Sequence, residues 1–258
     1  MGSLASELVG SLLDAHPGHL PWIIHGDDTV SREQFRTAVA WEASVFRAHG
    51  VGPGHAVMLQ VPPSYTQAEV LIALWQLDAQ VILVDHRLKP PEVDRLRSLC
   101  RPQFFVQAGP RGRPPLGFEP RYEVITTRCP DGRAAATGHR LVQFSSGSTG
   151  LPKVIGRTAD ALSAEVRRFT QIEGMPTVGE RSLLLSSTAH SFGLIGGMLH
   201  SLAAGSAVVF ARRPSAREML AAAARHDVHV VFGTPFHYEL LSTAGDLPAL
   251  PSLRAAVS

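Results

Sequence analysis

Leu141-Val-Gln-Phe-Ser-Ser-Gly-Ser-Thr-Gly-Leu-Pro-Lys153 decides how the rest of the chain is read. A short apolar run feeds six small residues, Ser145 to Gly150, and Pro152–Lys153 closes the loop. Side chains this small let backbone N–H groups approach an anion closely. The hydroxyls of Ser145, Ser146, Ser148 and Thr149 add donors that rotate to meet phosphate oxygens. Lys153 supplies a compact positive charge. Lys89 and Lys153 are the two lysines of the chain and the other 22 cationic residues are arginine, so a lysine here is not compositional drift. These residues predict a polyphosphate nucleotide as ligand. The Walker A spacing does not fit, because Gly147, Gly150 and Lys153 are set differently and Val154 stands where a magnesium-binding hydroxyl would follow the lysine. A plain Ser/Gly turn is the alternative; the apolar strand before the loop and its Pro-Lys exit argue against it.

Outward from the loop, apolar bursts of strand length alternate with helical periodicity. Trp22–Ile24 and Thr29–Val30 flank a hairpin turn, His25-Gly26-Asp27-Asp28. Ser31 with Gln34, and Ser64 with Gln67, read as capping boxes opening two helices. Strands are expected at 56–61, 81–84, 104–107, 122–126, 140–144, 182–185, 207–210, 228–232 and 253–257. Helices are expected at about 90–99, 160–171, 194–203, 216–224 and 235–241. This alternation predicts an α/β fold of mostly parallel sheets flanked by helices. Ligands of such sheets sit beyond the C-terminal ends of strands, which is where the loop after Phe144 falls. Residues 108–120, rich in Gly and Pro, mark the expected subdomain boundary.

The bulk numbers set limits. With 258 residues, 45% of them hydrophobic, the chain can bury a large core as one α/β domain or two smaller ones. Net charge is +2 and no basic run interleaves with aromatics, so nucleic acid is not an expected partner. Cys100 and Cys129 form neither a disulfide framework nor a metal-ligand spacing, which fits a reducing cytoplasm. His226 and His229 fall at helix-like i,i+3 spacing in a stretch that reads as strand, so no metal site is assigned. The apolar stretch Val70–Val84 is broken by Gln76, Asp78 and Gln80 and is too short for the roughly 18 residues of a membrane span. Gly2 and Ser6 match a myristoylation pattern; an ordinary first helix accounts for the same residues.

Residues 145–153, Ser-Ser-Gly-Ser-Thr-Gly-Leu-Pro-Lys, resemble the signature of the acyl-adenylate-forming superfamily, which includes acyl- and aryl-CoA synthetases. The resemblance runs along the whole chain. Arg47–Val57 is similar to an early family stretch, with His55 where an acid is usual. His190-Ser-Phe-Gly-Leu194 resembles the acyl-pocket motif, and Gly233–Leu241 a following helix start. Val154 and Ala159 depart from the usual Gly and His behind the loop.

The resemblance implies an incomplete N-terminal domain of an adenylate-forming enzyme over 1–258. It implies ATP and Mg2+ as cofactors and activation of a carboxylate to an acyl-adenylate. Transfer to coenzyme A or to a carrier-protein phosphopantetheine thiol would follow. Ser145, Ser146, Gly147, Ser148, Thr149, Gly150 and Lys153 would hold the phosphates as charge develops on pyrophosphate. His190, Ser191, Phe192 and Gly193 would line the acyl pocket, the glycine leaving room for substrate. Thr234 and His237 are further pocket candidates, and helix-start packing explains them equally. Ser191 cannot pair an α-ammonium as an aspartate would, so the implied substrate is a carboxylic acid other than an α-amino acid. No catalytic residue is assigned: the family's C-terminal lysine is not in this chain, and the C-terminal domain is expected to be absent. A complementing C-terminal portion or a carrier protein is an expected partner. The alternative is a catalytically silent scaffold with weak nucleotide binding.

Overall fold

A computed structural model describes residues 4–110, 118, 121–145, 153–245 and 248–258. They fall into two compact units. The first takes the described residues of Met1–Val9, Thr37–Arg113 and Arg121–Ser163; the second takes those of Gly10–Arg36, Pro114–Pro120 and Ala164–Ser258.

Helix α1 (Leu4–Leu13) precedes the expected hairpin, β1 (Pro21–His25) and β2 (Asp28–Ser31). The hairpin pairs His25 with Asp28, and Gly26 turns at φ +64°. A side chain at Gly26 would meet the Arg212 guanidinium at 2.2 Å, and that guanidinium pairs with Asp27. The Ser31 capping box is complete. The Gln34 N–H donates to Ser31 Oγ (3.2 Å) and the Ser31 N–H to Gln34 Oε1 (2.8 Å), opening α2 (Arg32–Ala48).

In the first unit the chain runs β3 (Ala56–Gln60), α3 (Tyr65–Gln76), β4 (Gln80–Leu83), α4 (Pro90–Cys100), β5 (Phe104–Ala108) and β6 (Val124–Arg128). It continues through β7 (Leu141–Ser145) and β8 (Lys153–Arg157) into α5 (Ala159–Thr170). The sheet order is β6-β5-β3-β4-β7-β8. Its four inner strands are parallel, and β6 and β8 close the two edges antiparallel. β3 and β4 are apolar and buried on both faces, as helices on both sides of a parallel sheet require. The Val70–Val84 run is therefore a buried helix followed by a core strand, and no helix of the described residues is long and apolar enough to cross a membrane. Before β3, the Gly52 N–H donates to His55 Nδ1 (2.9 Å).

The second unit holds β9 (Arg181–Leu184), a π-helical segment Phe192–Leu199 running into α6 (His200–Ala204), β10 (Ala207–Phe210) and α7 (Ala216–Arg225). Then come β11 (Val230–Phe232), α8 (Pro235–Ser242) and β12 (Ala255–Val257). Here the order is β12-β11-β9-β10-β1-β2, parallel except for the β1–β2 hairpin. Phe118, inside the Gly/Pro-rich stretch, is buried in this unit and stacks on Phe210 at 3.8 Å. The mostly parallel α/β fold is thus present in two sheets. Two elements differ from the sequence reading. β8 was not expected; Lys153 to Gly156 are exposed on both faces of an edge strand, so no period-2 pattern is written into them. The helix expected at 194–203 starts earlier and is π-helical for its first eight residues.

Candidate functional site

The predicted phosphate loop lies in sequence between two paired strands, β7 and β8. β7 lies parallel to β4, through Val81↔Leu141 and Ile82↔Val142, and antiparallel to β8. Its entry is anchored by Arg140. That guanidinium donates to the Asp78 carbonyl (2.9 Å) and pairs with the Asp78 carboxylate, while Trp75 Nε1–H donates to the Arg140 carbonyl (2.9 Å). At the exit, Ser145 and Lys153 are cross-strand partners. Ser146, Gly147, Ser148, Thr149 and Gly150 lie outside the described residues. The lysine is exposed at the base of the segment they occupy in sequence. The Gly156 backbone lies against the His139 ring, since a side chain there would reach Nδ1 at 2.4 Å.

A charged cluster unforeseen from sequence follows the neighbouring strand β4. Arg87 binds the Asp85 carboxylate through Nε and Nη2 (2.6 Å at the shortest), and the Arg87 backbone N–H adds a third donor at 2.9 Å. His86 sits beside them, half-buried. Burial is the first cause that lowers its pKa, against the opposing pull of Asp85. Asp-His-Arg directly after a four-residue buried strand was the available signal, since that is the C-terminal edge of a parallel sheet.

The acyl-pocket candidates lie in the second unit, at the C-terminal ends of the adjacent strands β9 and β11, paired through Phe232↔Leu184. The Leu185 and Ser186 N–H groups both donate to the Phe232 carbonyl (2.9 and 3.4 Å), fixing where β9 leaves the sheet. A short turn follows, in which the His190 N–H donates to the Ser187 carbonyl (3.2 Å) and the Leu194 N–H to the His190 carbonyl (2.9 Å). His190 is exposed, Ser191 and Phe192 are half-buried, and the Phe192 ring lies 5.9 Å from that of Phe232. The structure therefore brings the His190–Gly193 motif and the end of β11 together. Gly193 does not leave open space. A Cβ there would stand 2.3 Å from the Ser187 carbonyl and 2.7 Å from that of Ser186, so this glycine permits close backbone packing.

Thr234 and His237 are engaged with each other at the start of α8. The Thr234 N–H donates to His237 Nδ1 (3.1 Å) and the Thr234 hydroxyl lies 2.8 Å from the same nitrogen. Nδ1 is thus an acceptor, and burial lowers the His237 pKa, which favours the neutral ring. Tyr238, next along, donates to the carbonyls of Val231 (3.0 Å) and Val257 (2.7 Å) and ties β11 to β12.

Among the described residues no group of three or more His, Cys, Asp or Glu side chains gathers to hold a metal. Magnesium commonly binds with substrate phosphates and few protein ligands.

A family model described as AMP-binding enzyme matches residues 13–258. The 3-hydroxybenzoate/4-hydroxybenzoate–CoA ligase of Thauera aromatica is 26% identical over 98% of this chain and 54% of its own length. A feruloyl-CoA synthase of an Amycolatopsis species is 25% identical over 91% of the chain and 50% of its own length. The chain thus spans about half the length of these curated relatives. The N-terminal domain of FACL13 from Mycobacterium tuberculosis superposes with a TM-score of 0.79 at 17% identity, over 99% of this chain and 69% of that one. At that identity the likeness bears on fold alone.

Proposed function

The chain belongs to the AMP-binding enzyme family, and from that premise we propose that it serves ATP-dependent activation of a carboxylic acid other than an α-amino acid. The product is an acyl-adenylate, whose acyl group passes to the thiol of coenzyme A or of a carrier protein. The observation that carries this reading is the Ser145–Lys153 cross-strand pair. It sets a lysine at the base of a hydroxyl- and glycine-rich loop beyond the C-terminal end of a parallel strand. Residues 145–153 hold the β- and γ-phosphates, and Lys153 meets the charge that grows on the leaving pyrophosphate. His190 lies by the acid's carboxylate and Phe192 beside its body. Relatives named for hydroxybenzoate and feruloyl substrates support an aryl acid.

Titration with a non-hydrolysable ATP analogue tests the loop. Lys153→Ala should weaken binding by about tenfold or more, the scale of one lost charge-assisted contact. In the complete enzyme the same change should lower carboxylate-dependent pyrophosphate exchange by about 100-fold. Unchanged binding and exchange would remove the role given to this lysine.

A further inference from the structure

The first unit carries a cavity of about 500 Å3 among its described residues, a volume within the roughly 300–1,000 Å3 of small-molecule sites. Its walls are the last turns of α4, with Asp94, Arg97 and Arg101, and the turn after β6, with Cys129, Asp131 and Gly132. It lies at the entry of β5, whereas Ser145 ends the exit side of the same parallel set of strands. The cavity therefore stands apart from the candidate phosphate site. Its two walls are tied together. The Cys129 N–H donates to the Gln103 carbonyl and the Arg133 N–H to the Arg101 carbonyl, both at 2.8 Å. A side chain at Gly132 would strike the Pro102 carbonyl, so the turn packs directly on the chain entering β5.

Arg97 is the hinge of the chemistry. Its guanidinium lies over the Phe105 ring, 5.2 Å from the centroid, and Nη2 donates to Cys129 Sγ at 3.8 Å. A cation beside a half-buried thiol favours the thiolate, the form that attacks a disulfide. Arg97 also pairs with Asp94 at 3.4 Å, but that carboxylate is 69% exposed, so an incoming carboxylate can replace it. Arg101 brings a second guanidinium to the same wall, and Asp94 and Asp131 bring two anions. Cys100, the other cysteine of the chain, does not line the cavity, and burial raises its pKa.

We propose that this cavity is a modification site, in which Cys129 exchanges with a small acidic disulfide such as that of a carboxylate-bearing thiol peptide. Arg97 and Arg101 receive the carboxylates, and Asp131 suits an ammonium group of the same molecule. The Cys129 thiolate attacks one sulfur, the S–S bond of the reagent breaks, and a mixed disulfide forms. The leaving thiolate takes up the proton that Cys129 gave to solvent. Excess thiol reverses the step, so the mark is compatible with a reducing compartment.

The test treats the full chain with glutathione disulfide, which carries carboxylates and ammonium groups, and with uncharged hydroxyethyl disulfide. Both rates are normalised to those of free N-acetylcysteine, and adducts are located by peptide mass mapping. Glutathione disulfide should give one adduct, at Cys129, at least tenfold faster than any at Cys100. Its normalised rate should exceed that of hydroxyethyl disulfide by about tenfold, the scale of one charge-assisted contact. Arg97→Gln should remove most of that preference, and Cys100→Ser should leave it unchanged. Near-UV circular dichroism checks folding, with Arg101→Asn as the substitute if Arg97→Gln is not folded. No adduct, equal reaction at Cys100, equal normalised rates for the two reagents, or a folded arginine variant with its preference intact would each overturn the proposal.

Discussion

The two units repeat one plan and finish it differently. In the first, β3, β4 and β5 are joined by helices and stand in the order β5-β3-β4; in the second, β9, β10 and β11 stand as β11-β9-β10. The first crossover of the first unit is α3, a regular helix buried from Tyr65 to Trp75 and capped by Ser64. Its counterpart opens with Ser191 in helical conformation and no side-chain cap, then runs π-helical through three glycines. π-Helical bonding is rare and concentrates at functional sites. One crossover is thus shaped for core stability, while the other accepts poorer local geometry to place His190 and Phe192 at the edge of its sheet.

What compensates the second crossover is Arg32. Its guanidinium is buried and donates to the carbonyls of Ser201 (3.0 Å), Ser206 (3.0 Å) and Leu202, at the C-terminal end of α6. Burial lowers its pKa to about 10, which still leaves it charged at neutral pH, where the negative end of a helix favours it. Arg32→Ala should therefore have the largest effect, about 3–5 kcal/mol, because it removes a buried guanidinium from the Leu202 and Ser206 carbonyls, whereas the Ser201 carbonyl keeps the Ser206 N–H (3.1 Å). Arg32→Lys should rescue little, since an ammonium cannot reproduce the planar fork. Urea unfolding gives the magnitude, and hydrogen exchange should show the loss concentrated in 192–206. Equal loss of protection in α3 would break the contrast between the crossovers.

Ser64→Ala probes the other side. The Ser64 oxygen accepts from the Gln67 N–H (2.9 Å) and its hydroxyl donates to the Pro62 carbonyl (2.8 Å). Losing the cap should cost about 1–2 kcal/mol, with exchange rising at the start of α3 while 192–206 keeps its protection. A loss below a few tenths of a kcal/mol would mean that burial alone holds α3.

How much of this was legible in sequence follows the same division. Both capping sites were marked, although Gln67 turns its amide to the Val61 carbonyl (2.8 Å) and leaves the second box half made. The parallel strands were legible because burial on both faces writes them as unbroken apolar runs. β8 was not, because an exposed edge strand carries no periodicity. The candidate site was marked in sequence by motifs alone, the loop composition and the His190 stretch. Its geometry was not, because Gly193 was expected to leave room for substrate, whereas the Ser186 and Ser187 carbonyls occupy the space a side chain there would take. Arg32 was hidden too: after a cap residue it looks like a solvated first-turn charge.

The smallest effect concerns how each unit ties the entries of its strands. In the first, Asp78 before β4 pairs with Arg140 before β7. In the second, Glu180 before β9 takes both Nη atoms of Arg254 before β12, at 2.7 and 2.6 Å. The Thr177 N–H also donates to Glu180 (2.7 Å). The Arg254 hydrogen bonds are the main cause that holds the Glu180 carboxyl down at about 2. A carboxyl depressed in the folded state stabilises above its unfolded pKa, near 4.5, and that contribution is lost as pH falls through about 2. The Arg254 side chain is 37% exposed, so screening limits the expected effect to about 1 kcal/mol. Glu180→Gln should lower stability by that amount at pH 7 and by less at pH 2.5, narrowing the gap to the unsubstituted chain across the window. A constant gap between pH 5 and 2.5 would mean that Glu180 acts by packing, and that the polar ties at the strand entries do not distinguish the two units.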